Sequence, residues 1–244
     1  MTSIVYARTF EMNETGKAKL SSLIKQNPIF KTPETTGDEL IPQKAEAPKI
    51  VGSDIDWAIF VEQNNLRTDP KSFIPVLEEM QKSFKGQEPK AVLNAIKAIE
   101  LLDKRLAPLE WNDGLALAAR DHCKDIGPKG LIGHFGSKGT SPYDRILRYG
   151  QAGWWRAENM AFSGPPKETW TELTAQAKKI IMNLFIDDGF TSREHRMRLV
   201  NPDFKVAGIA SCPHRYLKHL SVIDYAESMR VNQLAEDEIK KLAK

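Results

Sequence analysis

The chain has 244 residues, of which 41% are hydrophobic and 27% are charged, and its formal net charge is +3. This length can bury a full core, so one domain with appendages is the expected organisation. The small net charge argues against a nucleic-acid partner, and no apolar run approaches the roughly 18 residues of a transmembrane helix.

The N-terminal stretch differs in composition from the rest of the chain. Four prolines (Pro28, Pro33, Pro42 and Pro48) fall in one short polar segment. Proline removes backbone donors and opposes both helix and sheet. Residues 1–50 are therefore predicted to form an irregular, extended arm that contacts protein partners, rather than a folded domain.

Location and redox state are predicted from the N-terminus and from two cysteines. The stretch from Met1 to Arg8 lacks the apolar segment of a signal peptide, so the chain is expected to stay inside the cell, with secretion by an unrecognised route as the alternative. Cys123 and Cys212 could form one disulfide. Two reduced, largely buried thiols are the favoured expectation.

The first half of the domain carries helical signals. Apolar residues spaced for one helix face predict four helices, which begin at Ser53 or Asp54, at Pro70, near Pro89, and after Asn112 or Asp113. A stretch rich in glycine, from Asp125 to Ser141, is predicted to be a loop.

The second half mixes helices with strands. The predicted elements are a short helix from Pro142 to Gly150, a strand over 156–162, a long helix from Lys167 to Phe185, a helical turn from His195 to Val200, strands from Val206 to Cys212 and from Leu220 to Tyr225, and a charged, helical tail over 229–244. Helices on both sides of a few strands predict an α+β layered domain.

Two histidines in loops are the candidate functional residues. His134 lies in a glycine-rich loop, His195 follows an acidic stretch, and Glu158 lies between them in sequence. Two imidazoles with one or two carboxylates could hold a divalent metal such as zinc in an open site, with His134 and His195 as ligands. The alternative is that these side chains hydrogen-bond to Glu158 and to solvent.

Six segments, in this order along the chain, resemble the motifs of one family. They are Glu62 to Pro70, Pro108 to Asn112, Gly133 to Ser137, Tyr143 to Ile146, Ala157 to Met160, and His195 to Ala210. Together they resemble the CAP superfamily (SCP/TAPS) of cysteine-rich secretory, antigen 5 and pathogenesis-related-1 proteins, in its microbial and protist branch. The resemblance implies a three-layer α-β-α sandwich over residues 54–228.

The resemblance also implies a cleft with two histidines and two acids. His134, Glu158 and His195 match three of these positions directly. The fourth acid comes from the end of the preceding helix, where Asp187 is the first choice and Asp188 the second.

The cleft departs from the family pattern at three positions, the first of which is Ala157 in place of the usual glycine before Glu158. Glu194 stands where glycine is common, and its charge would raise the pKa of His195 or supply a ligand. Lys138 stands where aspartate is usual in this branch, and its cation could compete with a metal or pair with Glu158. These changes favour a degenerate cleft.

The expected function is therefore that of an intracellular, non-catalytic binding or structural component of a larger assembly, with a cytoskeletal or ciliary complex as one setting. The first alternative is a metal-dependent effector or hydrolase that uses the candidate tetrad, namely His134, Glu158, Asp187 and His195. The second is a lipid- or sterol-binding protein.

Other aromatic and histidine residues carry weaker expectations. Trp154 and Trp155 either form an exposed contact surface for a partner or place one ring in the core. His122 is expected to be a satisfied core or boundary residue. His214 and His219 flank a predicted turn and are expected at the surface.

Overall fold

The computed structural model describes residues 51–102 and 105–243. The prediction of an extended arm over residues 1–50 lies outside the described residues. The described helices are α1 (Asp54–Thr68), α2 (Ile74–Ser83), α3 (Ala91–Glu100), α4 (Asp113–Ile126), α5 (Pro142–Tyr149), α6 (Trp170–Ile186), α7 (Glu194–Leu199) and α8 (Gln233–Leu242). None of them is long and apolar enough to cross a membrane.

Four strands form the central sheet in the order β1-β4-β5-β3. They are β1 (Glu110–Trp111), β3 (Arg156–Ser163), β4 (Val206–His214) and β5 (Lys218–Ala226). β5 runs antiparallel to both of its neighbours, while β1 pairs with β4 in parallel. β3 is therefore an edge strand. Two short strands, β2 (Gly150–Ala152) and β6 (Met229–Val231), form a separate antiparallel pair.

The sheet lies between two layers of helices. On one face, Ile209, Ile223 and Tyr225 pack into the main hydrophobic core with residues of α1 and α6. On the other face, Met160 and Val222 pack against α4. Strand residues alternate between the two faces, so both faces of the sheet are buried. The predicted three-layer α-β-α sandwich is confirmed.

Close contact between α4 and the sheet requires glycine at position 208. A Cβ atom there would lie 2.1 Å from the backbone nitrogen of Ala116. The helix can rest on β4 only because no side chain separates the two backbones. This contact fixes the height of α4 above the sheet.

Capping residues explain where several helices begin. Reciprocal capping boxes start α1, α5 and α6 with the pairs Ser53–Asp56, Ser141–Asp144 and Thr169–Glu172. The Asn112 side chain accepts from the Leu115 backbone N–H and so starts α4. These caps match the predicted start signals of α1, α4 and α5. The helix predicted at Pro70 instead opens with a 3-10 turn over Pro70–Phe73, and α2 follows it.

The expectation of reduced thiols is wrong, because Cys123 and Cys212 form a disulfide that joins α4 to β4. Their Cα atoms lie 6.0 Å apart, which is within the usual range for a disulfide. The two positions are 89 residues apart in sequence, so only the packing of α4 on the sheet reveals that they meet.

The C-terminal tail also differs from its prediction. A helix does form, over Gln233–Leu242, but β6 precedes it and pairs with β2. Ala235 of α8 is fully buried and belongs to a core cluster with Leu115 and Tyr149. The tail is thus packed on the domain that was predicted to end at residue 228.

Candidate functional site

The first half of the candidate site is a buried pair of His134 and Glu158. The Nδ1 atom of His134 lies 2.6 Å from Oε1 of Glu158. Arg145 of α5 donates to the other carboxylate oxygen at 2.6 Å and to the backbone carbonyl of His134 at 3.1 Å. One guanidinium group therefore holds both the carboxylate and the loop that carries the imidazole.

These contacts keep Glu158 ionised. Burial alone would raise its pKa, but the hydrogen bond from His134 and the positive charges nearby, including that of Arg145, hold it well below its usual value. A carboxylate has no proton to donate, so Nδ1 of His134 is the donor in this pair. The ring then presents Nε2, which is buried and has no hydrogen-bond partner among the described residues.

The second half of the site is a pair of His195 and Asp187. Nδ1 of His195 lies 2.6 Å from Oδ1 of Asp187, and the backbone N–H of His195 donates to Oδ2 at 3.0 Å. Both side chains are fully buried. As in the first pair, Nε2 of the imidazole is buried without a partner among the described residues.

Local structure at the end of α6 positions Asp187. Its backbone is left-handed, with φ of 55°, and it ends the helix. Arg196 donates to the carbonyls of Phe185 and Ile186, and Arg193 donates to the carbonyl of Asp187. These guanidinium groups satisfy the last carbonyls of α6, where cations also favour the helix dipole. These hydrogen bonds stabilise the turn that places the carboxylate of Asp187 against His195.

Neighbouring residues of β3 contact the two His–acid pairs, His134–Glu158 and His195–Asp187, which are called the two dyads below. Glu158 contacts Arg145 of α5, whereas the side chain of the next residue, Asn159, donates to the backbone carbonyl of His195 at 3.2 Å. Successive strand residues point to opposite faces. Within the described residues, hydrogen bonds and ion pairs join the four predicted site residues as two His–acid dyads, not as one four-membered network.

The secondary candidates have other partners. Both carboxylate oxygens of Asp188 accept backbone N–H groups of the loop at positions 87 and 88, so this residue holds a loop and not an imidazole. Glu194 pairs with Arg198 at 2.8 Å. Lys138 is exposed, and the cation that pairs with Glu158 is Arg145.

Three residues of the first dyad's surroundings were not singled out as site residues from the sequence. Arg145 lies in the fourth motif segment, Tyr143 to Ile146, which was the only available signal. His122 of α4 is fully buried, as expected, and its Nε2 lies 2.9 Å from the carbonyl of Gly133, next to His134. Asp224 of β5 is fully buried directly opposite Glu158.

The residues fit a metal only in part. Each dyad offers one unpartnered imidazole Nε2, and in metal sites the other ring nitrogen commonly donates to a carboxylate, as it does here. However, no group of three or more His, Cys, Asp or Glu side chains within the described residues could hold a metal ion. A catalytic zinc site uses three protein ligands. The arrangement therefore does not match a complete zinc centre.

The remaining aromatic and histidine expectations have mixed outcomes. Trp154 is 81% exposed and Trp155 is 38% exposed, so neither ring is in the core. His214 and His219 are buried, so the expected surface position is wrong. His214 faces inward because the carbonyl of Leu131 lies 2.9 Å from its Nε2.

The three-layer sandwich and the His–acid dyads beside strand β3 are features that the resemblance to the CAP superfamily implies. A sequence model of the cysteine-rich secretory protein family, CAP, matches residues 62–225. The chain belongs to this family, and the resemblance of its motifs is confirmed. No curated protein sequence matches the chain.

Two solved structures are similar to the chain. One is an extracellular protein containing an SCP domain from Bacillus anthracis strain Ames, with 18% identity, a TM-score of 0.36, and coverage of 55% of this chain and 38% of that protein. The other is an outer surface protein of Borrelia burgdorferi, with 19% identity, a TM-score of 0.37, and coverage of 68% and 96% respectively. The chain thus spans little more than a third of the Bacillus protein.

Proposed function

We propose that the chain is a non-catalytic binding domain that contacts a protein partner through the loop of Trp154 and Trp155. The observation that carries this proposal is the 81% exposure of Trp154 on a loop that is anchored by hydrogen bonds. Tryptophan is enriched among residues that dominate binding energies. A large exposed aromatic side chain on a rigid loop is typical of a binding surface.

Hydrogen bonds on both sides of the loop fix its conformation. The N–H of Gly153 donates to the carbonyl of Ser228 at 2.8 Å, and the N–H of Trp154 donates to the Glu227 carboxylate at 3.1 Å. Arg156 donates to the carbonyl of Gly153 at 2.8 Å. A partner that binds this loop would lose little conformational entropy in ordering it, which favours affinity.

The His–acid dyads support a non-catalytic role. A general base near neutral pH needs a pKa near the working pH, whereas the pKa of Glu158 is held well below its usual value. Its two oxygens are already engaged by His134 and Arg145. Asp187 is likewise engaged by the ring and backbone of His195.

The test compares the Trp154→Ala/Trp155→Ala variant with Tyr216→Ala, which removes another exposed aromatic side chain, 68% exposed, from a different loop. Each purified full chain is cross-linked in an extract of its source cells, and the cross-linked species are identified by mass spectrometry. We expect the tryptophan variant alone to lose the specific partner. An unchanged partner in that variant would refute the proposal, as would a hydrolytic activity that His195→Ala abolishes.

A second candidate function is ligand binding at the two unpartnered Nε2 atoms, with a divalent metal such as zinc as the ligand. Nε2 of His134 or of His195 would contribute one ligand at its own dyad, and a bound ion would supply Lewis acidity. Calorimetric titration with Zn²⁺ tests it, with His134→Ala/His195→Ala as the variant and His219→Ala as the control. Binding that survives in the double variant would exclude the dyads as the site.

The disulfide is evidence about the cellular compartment of the protein. Disulfides persist in oxidising compartments and are rare in the cytosol. The Cys123–Cys212 bond therefore supports the secreted or surface location over the intracellular one, and with it a partner outside the cytosol rather than a cytoskeletal or ciliary complex. Acid trapping of cells followed by maleimide labelling tests this. Thiols that react before reduction would favour the intracellular alternative.

A further inference from the structure

Asp224 is an acid in a position that suits an apolar residue. It is fully buried in β5, and no donor group among the described residues hydrogen-bonds to either carboxyl oxygen. Its neighbours along the strand, Val222, Ile223 and Tyr225, are all buried in the core. Burying a polar group without a hydrogen bond costs roughly 1–3 kcal/mol by protein mutational data. Asp224 therefore opposes stability, which calls for another reason for its presence.

Strand register places Asp224 beside the first dyad. It lies directly opposite Glu158 on β3 and opposite Gly208 on β4. Side chains of directly opposed residues share a face, with Cβ atoms about 4.5–5.5 Å apart. The Gly208 side contributes no group, because the backbone of α4 packs there. The carboxyl group of Asp224 thus shares its face with Glu158.

The charged and titratable groups around Asp224 favour its neutral form. Glu158 on β3 faces it, Arg145 of α5 lies behind Glu158, and His122 of α4 adjoins the same cluster. Burial, and then the negative charge of Glu158, raise the pKa of Asp224 well above its usual value, while Arg145 opposes this only in part. A neutral carboxyl group beside a carboxylate avoids repulsion and carries an O–H that can donate to it.

We propose that Asp224 is a positioning residue of the His134 site, whose uncharged carboxyl group braces the Glu158 carboxylate that orients the imidazole ring. Asp224 would touch no ligand and acts through Glu158. For its functional meaning the proposal rests on the ligand-binding role of His134 proposed above. Outer groups that hold a ligating histidine commonly change affinity by 10–100-fold when they are replaced.

Two substitutions separate positioning from packing. Asp224→Asn keeps a neutral donor of the same size, whereas Asp224→Leu keeps the branched shape, is larger, and removes the donor. Glu62→Gln is the control, since Glu62 is a buried acid in the other helical layer, where its carboxylate pairs with Lys178 at 3.5 Å. The measurements are the free energy of unfolding, the ring tautomer of His134 by ¹⁵N NMR, and the Kd for Zn²⁺.

We expect the free energy of unfolding of Asp224→Leu to stay close to that of the parent chain, because removing a buried polar group offsets the crowding by the larger leucine. The same variant should lose the single Nδ1–H tautomer of His134 and weaken Zn²⁺ binding by about tenfold or more. Asp224→Asn should keep the tautomer and stay within about threefold of the parent Kd, as should Glu62→Gln.

Two results would overturn the proposal. The first is an unchanged His134 tautomer in Asp224→Leu, which would leave Asp224 without any effect on the ring. The second is a loss of stability in both Asp224 variants with the ring unaffected, which would make the residue structural. If the parent chain does not bind Zn²⁺, metal binding fails as a function, and the tautomer measurement still decides the role of Asp224.

Discussion

The raised pKa of Asp56 makes the free energy of unfolding depend on pH. It is buried near the start of α1, and desolvation by burial raises its pKa to about 6. The folded state therefore holds a proton that the unfolded state has already lost above its ordinary pKa of 3.8. Its contribution to stability is complete at low pH and declines as the pH rises from 3.8 to about 6.

We expect the Asp56→Asn variant to lack this decline, because an amide does not titrate. Relative to the parent chain, the variant should gain on the order of 3 kcal/mol in free energy of unfolding between about pH 4 and about pH 7. Urea denaturation at the two pH values measures it. The hydrogen bonds from Ser53 favour the ionised carboxylate, and the pKa of about 6 already includes their effect. A difference that does not change with pH would contradict the buried, protonated state.

The site residues show where sequence reasoning succeeds and where it fails. His134, Glu158 and His195 follow from motifs, and Asp187 follows from its place at the end of a helix. Asp224 lies in an apolar run that predicts a strand, and its relation to Glu158 depends on strand register. Register is set by tertiary pairing and cannot be derived from either segment alone. The division of the tetrad into two dyads has the same origin.

The contact between α4 and the sheet depends on Gly208, which has no side chain. In Gly208→Ala, the new Cβ would lie 2.1 Å from the nitrogen of Ala116, so the helix must move. We expect a loss of about 3 kcal/mol or more in the free energy of unfolding. Gly164→Ala is the control, since nothing lies within 4 Å of its Cβ position. Thermal unfolding of both variants measures the effect, and equal midpoints would contradict the close contact.

The disulfide ties α4 to β4 from a second point. Because Cys123 and Cys212 are 89 residues apart, the bond restricts a long loop of the unfolded chain. We expect the Cys123→Ala/Cys212→Ala variant to lose about 2–5 kcal/mol in free energy of unfolding. Denaturant titration with and without a reductant measures this. The variant should be insensitive to reductant, and a parent chain equally insensitive would contradict the bond.

Helices and strands differ in how far the sequence predicts them. The helices follow from apolar spacing and caps, which are local, and their observed bounds lie within a few residues of the predicted ones. The strands β1, β2 and β6 have two or three residues each, too few for a periodic signal. They exist because distant segments pair, as Gly150 does with Val231. Their absence from the sequence prediction follows from that dependence.

At the scale of the whole molecule, the C-terminal segment belongs to the fold. A chain that ends after Ser228 would lose β6 and the buried Ala235. We expect a loss of roughly 3 kcal/mol from the apolar surface that this exposes. For a domain of this size the unfolding midpoint should fall by about 6–12 °C. Truncation after Leu242 is the control, and equal midpoints for the two truncations would show that the tail is dispensable.

The neighbouring positions of Glu158 and Asn159 make both dyads depend on one alignment. A shift of β3 by a single residue would turn Glu158 toward α6 and Asn159 toward α5, because each side chain would change face. The carboxylate would leave His134 and the amide would leave the carbonyl of His195 in the same event. A misaligned chain would thus lose the carboxylate of the first dyad and the strand contact of the second in one step.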